Sequence, residues 1–169
     1  MSDMQRHTLA LLVNDHPGVL TRVAILFGQR NFNIDSITVG STEEAGLSRM
    51  IITTNGDEHQ LDQLMKQLCK LIDVISVTHL SKDPMVAREI ALIRVHAEAA
   101  QRTELTGIVE PFRASIVDIG PTSIIIQATG DSEKIDALLA LLSPYGIEEL
   151  TRTGSVAMAR GLSLELMQV

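Results

Sequence analysis

The residues best placed to do chemistry lie in one short stretch, Asn14-Asp15-His16-Pro17-Gly18-Val19-Leu20. An apolar run, Leu9 to Val13, leads into it, and an amphipathic pattern with Val19, Leu20, Val23, Leu26 and Phe27 leads out. This is the pattern of a strand, a tight turn and a helix. Pro17 suits the first helical position, where its missing N–H costs nothing. The N–H groups of Gly18, Val19 and Leu20 would then lack intrahelical acceptors, at the positive end of a helix dipole. Such an end accepts a small carboxylate, and Gly18 lets a ligand approach the backbone closely. Taken alone, a strand–turn–helix with proline is common, and His16 is more simply a turn residue than a ligand.

Other chemistries find little support. The five histidines, His7, His16, His59, His79 and His96, show no metal-ligand spacing. There is no Walker-type loop and no G-x-G-x-x-G after a strand. Cys69 is the single cysteine, set among leucines and lysines, and reads as a packed, inert thiol. Asp57-Glu58 and Glu148-Glu149 read as a helix start and a solvated face, and Arg94, Arg102 and Arg113 as solvated cations. No set of residues demands an enzyme.

The elements that must position the turn form a repeat. Strands are expected at 33–40 and 47–54, then a helix capped by Asp57 with Leu61, Leu64, Met65, Leu68 and Leu71 inward, then a strand at 72–80. After a linker at 81–85 the order restarts. A strand at 89–95 precedes a helix beginning near Arg102. A hairpin spans 116–119 and 123–128, a helix capped by Asp131 follows, and a last strand covers 147–151. Gly56-Asp57 matches Gly130-Asp131; Leu61, Leu64, Met65 and Leu68 match Ile135, Leu138, Leu139 and Leu142. The fold class is therefore α+β: two ferredoxin-like βαββαβ domains in tandem, at 1–80 and 86–169. Each unit leaves one sheet face without helices, and the strand from Asn33 is an edge that self-association would cover. Where the turn should recur, the second unit has Ala97-Glu-Ala-Ala100, so only the first unit has the anion-binding chemistry.

Composition narrows the class of protein. The chain is 45% hydrophobic and only 2% aromatic, so its core must be built from Leu, Ile, Val, Met and Ala. The net charge of −7 argues against a nucleic-acid surface. Three Phe, one Tyr and no Trp leave little for a single-strand RNA platform. No membrane segment or signal is expected, and a single cysteine fits a cytoplasmic protein.

The chain resembles the small, regulatory subunit family of acetolactate synthase (acetohydroxyacid synthase). Several stretches carry the likeness: Val13-Asn-Asp-His-Pro-Gly-Val-Leu-Thr-Arg-Val, Leu26-Phe-Gly-Gln-Arg-Asn-Phe-Asn-Ile-Asp-Ser-Ile-Thr-Val-Gly, Leu47-Ser-Arg-Met, and Lys66-Gln-Leu-Cys-Lys-Leu-Ile-Asp-Val. Arg88-Glu-Ile-Ala-Leu-Ile-Arg-Val, Ile116-Val-Asp-Ile and the tail Arg152-Thr-Gly-Ser-Val-Ala-Met-Ala-Arg-Gly also match. The resemblance implies that the first domain is an ACT domain and that the chain is a non-catalytic homodimer whose ACT sheets join edge to edge. Valine, or another branched-chain amino acid, would bind at that interface. A catalytic subunit would be activated and made sensitive to feedback inhibition. Thiamine diphosphate, Mg²⁺ and FAD would belong to that partner, with no cofactor in this chain. The effector residues expected are Asp15, His16, Pro17, Gly18, Val19 and Leu20, with Asn33 from the dimer mate and Ile34 among the neighbouring apolar groups. The family often has Glu-Asn where this chain has Asn14-Asp15, and the tail after Gly161 is unmatched. A free-standing ACT-type sensor with another output is the alternative.

Overall fold

The computed structural model describes residues 5–161. It divides into two units: one contains the described residues up to Val86 together with Ser155 onward, the other Ala87–Gly154.

In the first unit, β1 (Gln5–Asn14), α1 (Val19–Gln29), β2 (Ile34–Ser41), β3 (Leu47–Gly56), α2 (Glu58–Leu68) and β4 (Val74–His79) follow the expected βαββαβ order. The sheet order is β2-β3-β1-β4, and its neighbouring strands all pair antiparallel. The first and third strands therefore lie in the middle, as right-handed crossovers require. Leu9, Leu11 and Val13 of β1 face Val19, Val23 and Phe27 of α1 and Leu61, Leu64 and Leu68 of α2 in one apolar core. Asp57 caps α2 by accepting the Gln60 N–H at 3.1 Å.

The second unit repeats this plan with β5 (Met85–His96), α3 (Arg102–Val109), β6 (Ser115–Ile119), β7 (Ser123–Gly130), α4 (Ser132–Leu142) and β8 (Ile147–Arg152), in sheet order β6-β7-β5-β8. Its core joins Ala91, Ile93 and Val95 to Leu105, Val109, Ile135, Leu138 and Leu142. Asp131 caps α4 through the Lys134 N–H at 2.9 Å, the counterpart of Asp57.

Several boundaries differ from the sequence reading. The helix begins at Val19, not Pro17, because Gly18 adopts a left-handed conformation (φ 86°) and serves as the N-cap. Leu20, read as part of the inward stripe, is 46% exposed. The fourth strand starts at Val74, and Ile72 stands 88% exposed in the connection before it. The linker at 81–85 is a 3-10 turn, Leu80–Lys82, running into β5. The strand at 147–151 is not the last. A ninth strand, β9 (Val156–Ala159), follows it and pairs with β5, and Arg160 N–H donates to the Pro84 carbonyl at 2.9 Å.

The tail also departs from a second domain running to the C-terminus: residues 155–161 group with the first unit. Ala157 and Ala159 pack on Ala10, Ile51, Leu80 and Met85, on the face of the first sheet that its helices leave bare. Thr38 Oγ1 donates to the Ser155 carbonyl at 3.1 Å. The chain thus covers that face itself, with residues small enough for a strand to lie close against the sheet.

Candidate functional site

The turn after β1 is held at both ends by backbone hydrogen bonds. Asp15 N–H donates to the Gly46 carbonyl at 2.9 Å, tying the turn to the hairpin between β2 and β3. Asn14 N–H donates to the Asp73 carbonyl at 2.8 Å, tying it to the connection before β4. His16 N–H closes on the Asn14 carbonyl at 2.9 Å. Gly18 then takes the positive φ that an L side chain adopts only at a cost. A Cβ added there would meet nothing within 4 Å, so the glycine is required by conformation and opens onto free space.

Asp15, His16, Pro17 and Gly18 are all exposed, and Val19 is buried in the core. Val19 N–H turns back toward the His16 carbonyl at 3.4 Å. It is therefore a poorer anion donor than the sequence reading supposed. Among the described residues, the Gly18 and Leu20 N–H groups have no backbone acceptor. They point out of the first turn of an 11-residue helix with no acidic residue in that turn. A carboxylate placed there gains from both the donors and the dipole.

Sequence reading missed the side chain that braces this turn. Asp73 accepts from Arg22 Nη2 at 2.8 Å and from His16 Nδ1 at 3.1 Å. Its position as a lone carboxylate between Ile72 and Val74, in an otherwise apolar stretch, was the available signal.

Asn33 and Ile34 are not brought to the turn of their own chain. Ile34 pairs with Thr54, and Thr54 pairs with His7, whereas the turn follows Val13 and Asn14. Six residues of strand separate those levels, about 20 Å at the usual rise. Asn33 is exposed, and its Nδ2 donates to Asp35 Oδ1 at 3.1 Å. Ile34 is half-buried and leans on its own unit's core. Beyond the bulge between Ile34 and Ser36, β2 is an open edge with neither lysine nor proline to blunt it, and its Val39 is 48% exposed.

Among the described residues nothing else competes as a chemical centre. Among the described residues no three His, Cys, Asp or Glu side chains converge as a metal site, and no helix is long and apolar enough to cross a membrane. Burial pushes the Cys69 thiol above its ordinary range, away from nucleophilic character. A cleft of about 470 Å³ lies where Arg30 and Asn31, after α1, meet His59 and Gln63 of α2.

A ferredoxin-like unit with a glycine-capped turn at the end of its first strand, followed by a second copy of the scaffold without that turn, defines a protein of two tandem ferredoxin-like units, the first ACT-like. Comparison with known proteins resolves the class further. Residues 9–76 match the small-subunit-like ACT domain of acetohydroxyacid synthase, and residues 88–161 match the family of the small subunit of acetolactate synthase. The acetolactate synthase small subunit of Bacillus subtilis is 50% identical over 157 residues, covering 92% of this chain and 91% of the relative. A probable acetolactate synthase small subunit from Archaeoglobus fulgidus is 51% identical over 156 residues, covering 92% and 98%. The crystal structure of the small subunit from Thermotoga maritima superposes with a TM-score of 0.84 at 41% identity, covering 94% of this chain and 99% of that one. The chain belongs to the acetolactate synthase small-subunit family, and its place in that enzyme is regulatory.

Proposed function

We propose that this chain is the non-catalytic subunit that senses branched-chain amino acids for acetolactate synthase in the cytoplasm. Valine binds at the dimer interface of the ACT units, and the chain both activates the catalytic subunit and confers feedback inhibition on it. Thiamine diphosphate, Mg²⁺ and FAD act in that partner.

The observation that carries this reading is the register of β2. Its start, at Ile34, lies level with the beginning of β1, and its end, at Gly40 and Ser41, pairs with Arg49 and Ser48 beside the turn. When two such edges pair antiparallel about a two-fold axis, the start of one strand meets the end of the other. Asn33 and Ile34 of the mate then stand beside the turn of the first chain. The Gly18 and Leu20 N–H groups hold the effector carboxylate. Asp15 and the mate's Asn33 amide oxygen receive the ammonium, and Ile34 contributes the exposed part of its surface to the isopropyl group. Burial of a valine-sized side chain contributes about 1.5–3 kcal/mol, enough to separate valine from alanine and little to separate it from leucine or isoleucine. A ligand shared by two chains favours one dimer geometry, which biases a bound catalytic subunit.

The test is calorimetric titration of the full chain with valine, leucine, isoleucine, alanine and serine, alone and with the catalytic subunit. Saturable valine binding that Gly18→Asp removes supports the reading. Absence of binding in both settings refutes it. Binding of amino acids without association with a thiamine-diphosphate enzyme favours the alternative, a free-standing sensor.

A further inference from the structure

One residue, distant in sequence, meets the end of β1, the turn and the start of α1. Asp73 lies between α2 and β4 with its side chain 11% exposed. Its Oδ2 accepts from Arg22 Nη2 at 2.8 Å, its Oδ1 accepts from His16 Nδ1 at 3.1 Å, and its carbonyl accepts the Asn14 N–H at 2.8 Å. The three partners are the last residue of β1, the middle of the turn and the first turns of α1. A largely buried carboxylate holds its place only when such donors compensate it, so Arg22 and His16 are fixed to each other, and the Asp73 carbonyl fixes both to the end of β1.

Two consequences follow from these contacts. The Arg22 guanidinium commits its Nη2 to Asp73 rather than to solvent. The carboxylate can only accept, so the His16 ring carries its hydrogen on Nδ1.

We infer that Asp73 is the positioning residue of the effector turn: by holding His16 and Arg22 its side chain sets the direction of the Gly18 and Leu20 N–H groups, and so the affinity for the carboxylate of an α-amino acid. This rests on the effector reading given above. Asp73 acts at the carboxylate end of the ligand, which valine, leucine and isoleucine share. Its loss therefore weakens all three by the same factor and leaves the preference among them unchanged.

The experiment titrates the full-length wild type, Asp73→Ala, Asp73→Asn and Arg22→Gln with valine, leucine and isoleucine, and records the ¹⁵N signals of the His16 ring at alkaline pH. Asp73→Ala is expected to weaken binding on the order of tenfold, the equivalent of one lost charge-assisted hydrogen bond. Its His16 hydrogen should leave Nδ1. Asp73→Asn, which keeps one acceptor oxygen, should recover part of the affinity. Arg22→Gln alters a half-exposed side chain and keeps the fold, so a severalfold loss there carries the conclusion even where Asp73→Ala folds poorly. Wild-type affinity in Asp73→Ala or Arg22→Gln, or a loss that reorders valine, leucine and isoleucine, overturns the positioning role alone. A wild type that binds none of the three refutes the effector reading itself.

Discussion

The guanidinium of Arg152 grips the carboxylate of Glu89: its Nε donates to Oε2 at 3.3 Å and its Nη2 to Oε1. Glu89 is only 4% exposed, while Arg152 also reaches the exposed Asp136 at 2.6 Å. Glu89 sits on β5 and Arg152 ends β8, so this pair locks neighbouring strands of the second sheet. Removing one partner of a buried pair leaves an uncompensated charge, at a cost of about 3–5 kcal/mol. Arg152→Ala should therefore lower the midpoint of urea unfolding strongly. Asp136→Ala, which loses only the exposed arm, should shift it by less than about 1 kcal/mol.

Gly56 and Gly130 occupy matching places before the caps of α2 and α4, yet their surroundings differ. A Cβ on Gly56 would lie 2.2 Å from Phe32 Cε1. Phe32 is buried and packs edge-on against Phe27, with ring centroids 6.5 Å apart. At Gly130 the obstacle is Lys134 Cδ, at 2.5 Å, part of a flexible chain that can swing into solvent. Gly56→Ala is thus expected to destabilise by about 1–3 kcal/mol through overpacking, and Gly130→Ala by clearly less. Parallel thermal melts of the two variants measure the difference.

His79 should make stability fall in mild acid. Its ring donates Nε2–H to His7 Nδ1 at 3.1 Å, because His7 Nε2–H is already committed to the Gly56 carbonyl. Burial, then the nearby His7 and Lys82, push the His79 pKa down to about 4, against weaker opposing pulls from Asp62 and Glu58. The unfolded chain takes up this proton near pH 6.5, which the folded chain resists until about 4. Unfolding therefore binds a proton in that window, and stability drops as pH falls through it. The slope is at most about 1.4 kcal/mol per pH unit, lessened by the partial exposure of the ring. Urea unfolding at pH 7, 6 and 5 reads this slope, and His79→Gln should flatten it.

Val39 gives the means to test the edge. It lies on β2 with its side chain 48% exposed, so Val39→Lys leaves the unit's own core intact. In an antiparallel pairing of two β2 strands it puts a lysine on each of the two joining edges, the residue that blunts strand pairing. Sedimentation equilibrium should show a dimer weakened on the order of tenfold, equivalent to about 1.4 kcal/mol. An unchanged dimer would assign the contact to another surface.

The sequence by itself determined the repeated scaffold and its one distinctive turn. Alternation in β1, the helical spacing of Leu61, Leu64 and Leu68, and the matching caps Asp57 and Asp131 are local signals, set by strand and helix periodicity and by hydrogen bonds three residues apart. The conformation of Gly18 was less legible. Proline and glycine both favour a turn, and the start of α1 depends on where Asp15 and Asn14 find acceptors in other strands.

Tertiary structure alone decided the rest. Asp73 reaches Arg22 and His16 across more than fifty residues, and no periodicity encodes such a pairing. The short run Val156–Ala159 carries too few residues to declare a strand. It becomes one because Ala157 and Ala159 meet the uncovered side of Ala10 and Ile51. The distance between Asn33 and the turn likewise follows from strand register, which places them at opposite ends of the sheet in one chain. Local patterns report which face of an element is apolar. What that face meets is chosen by the packing of the whole chain.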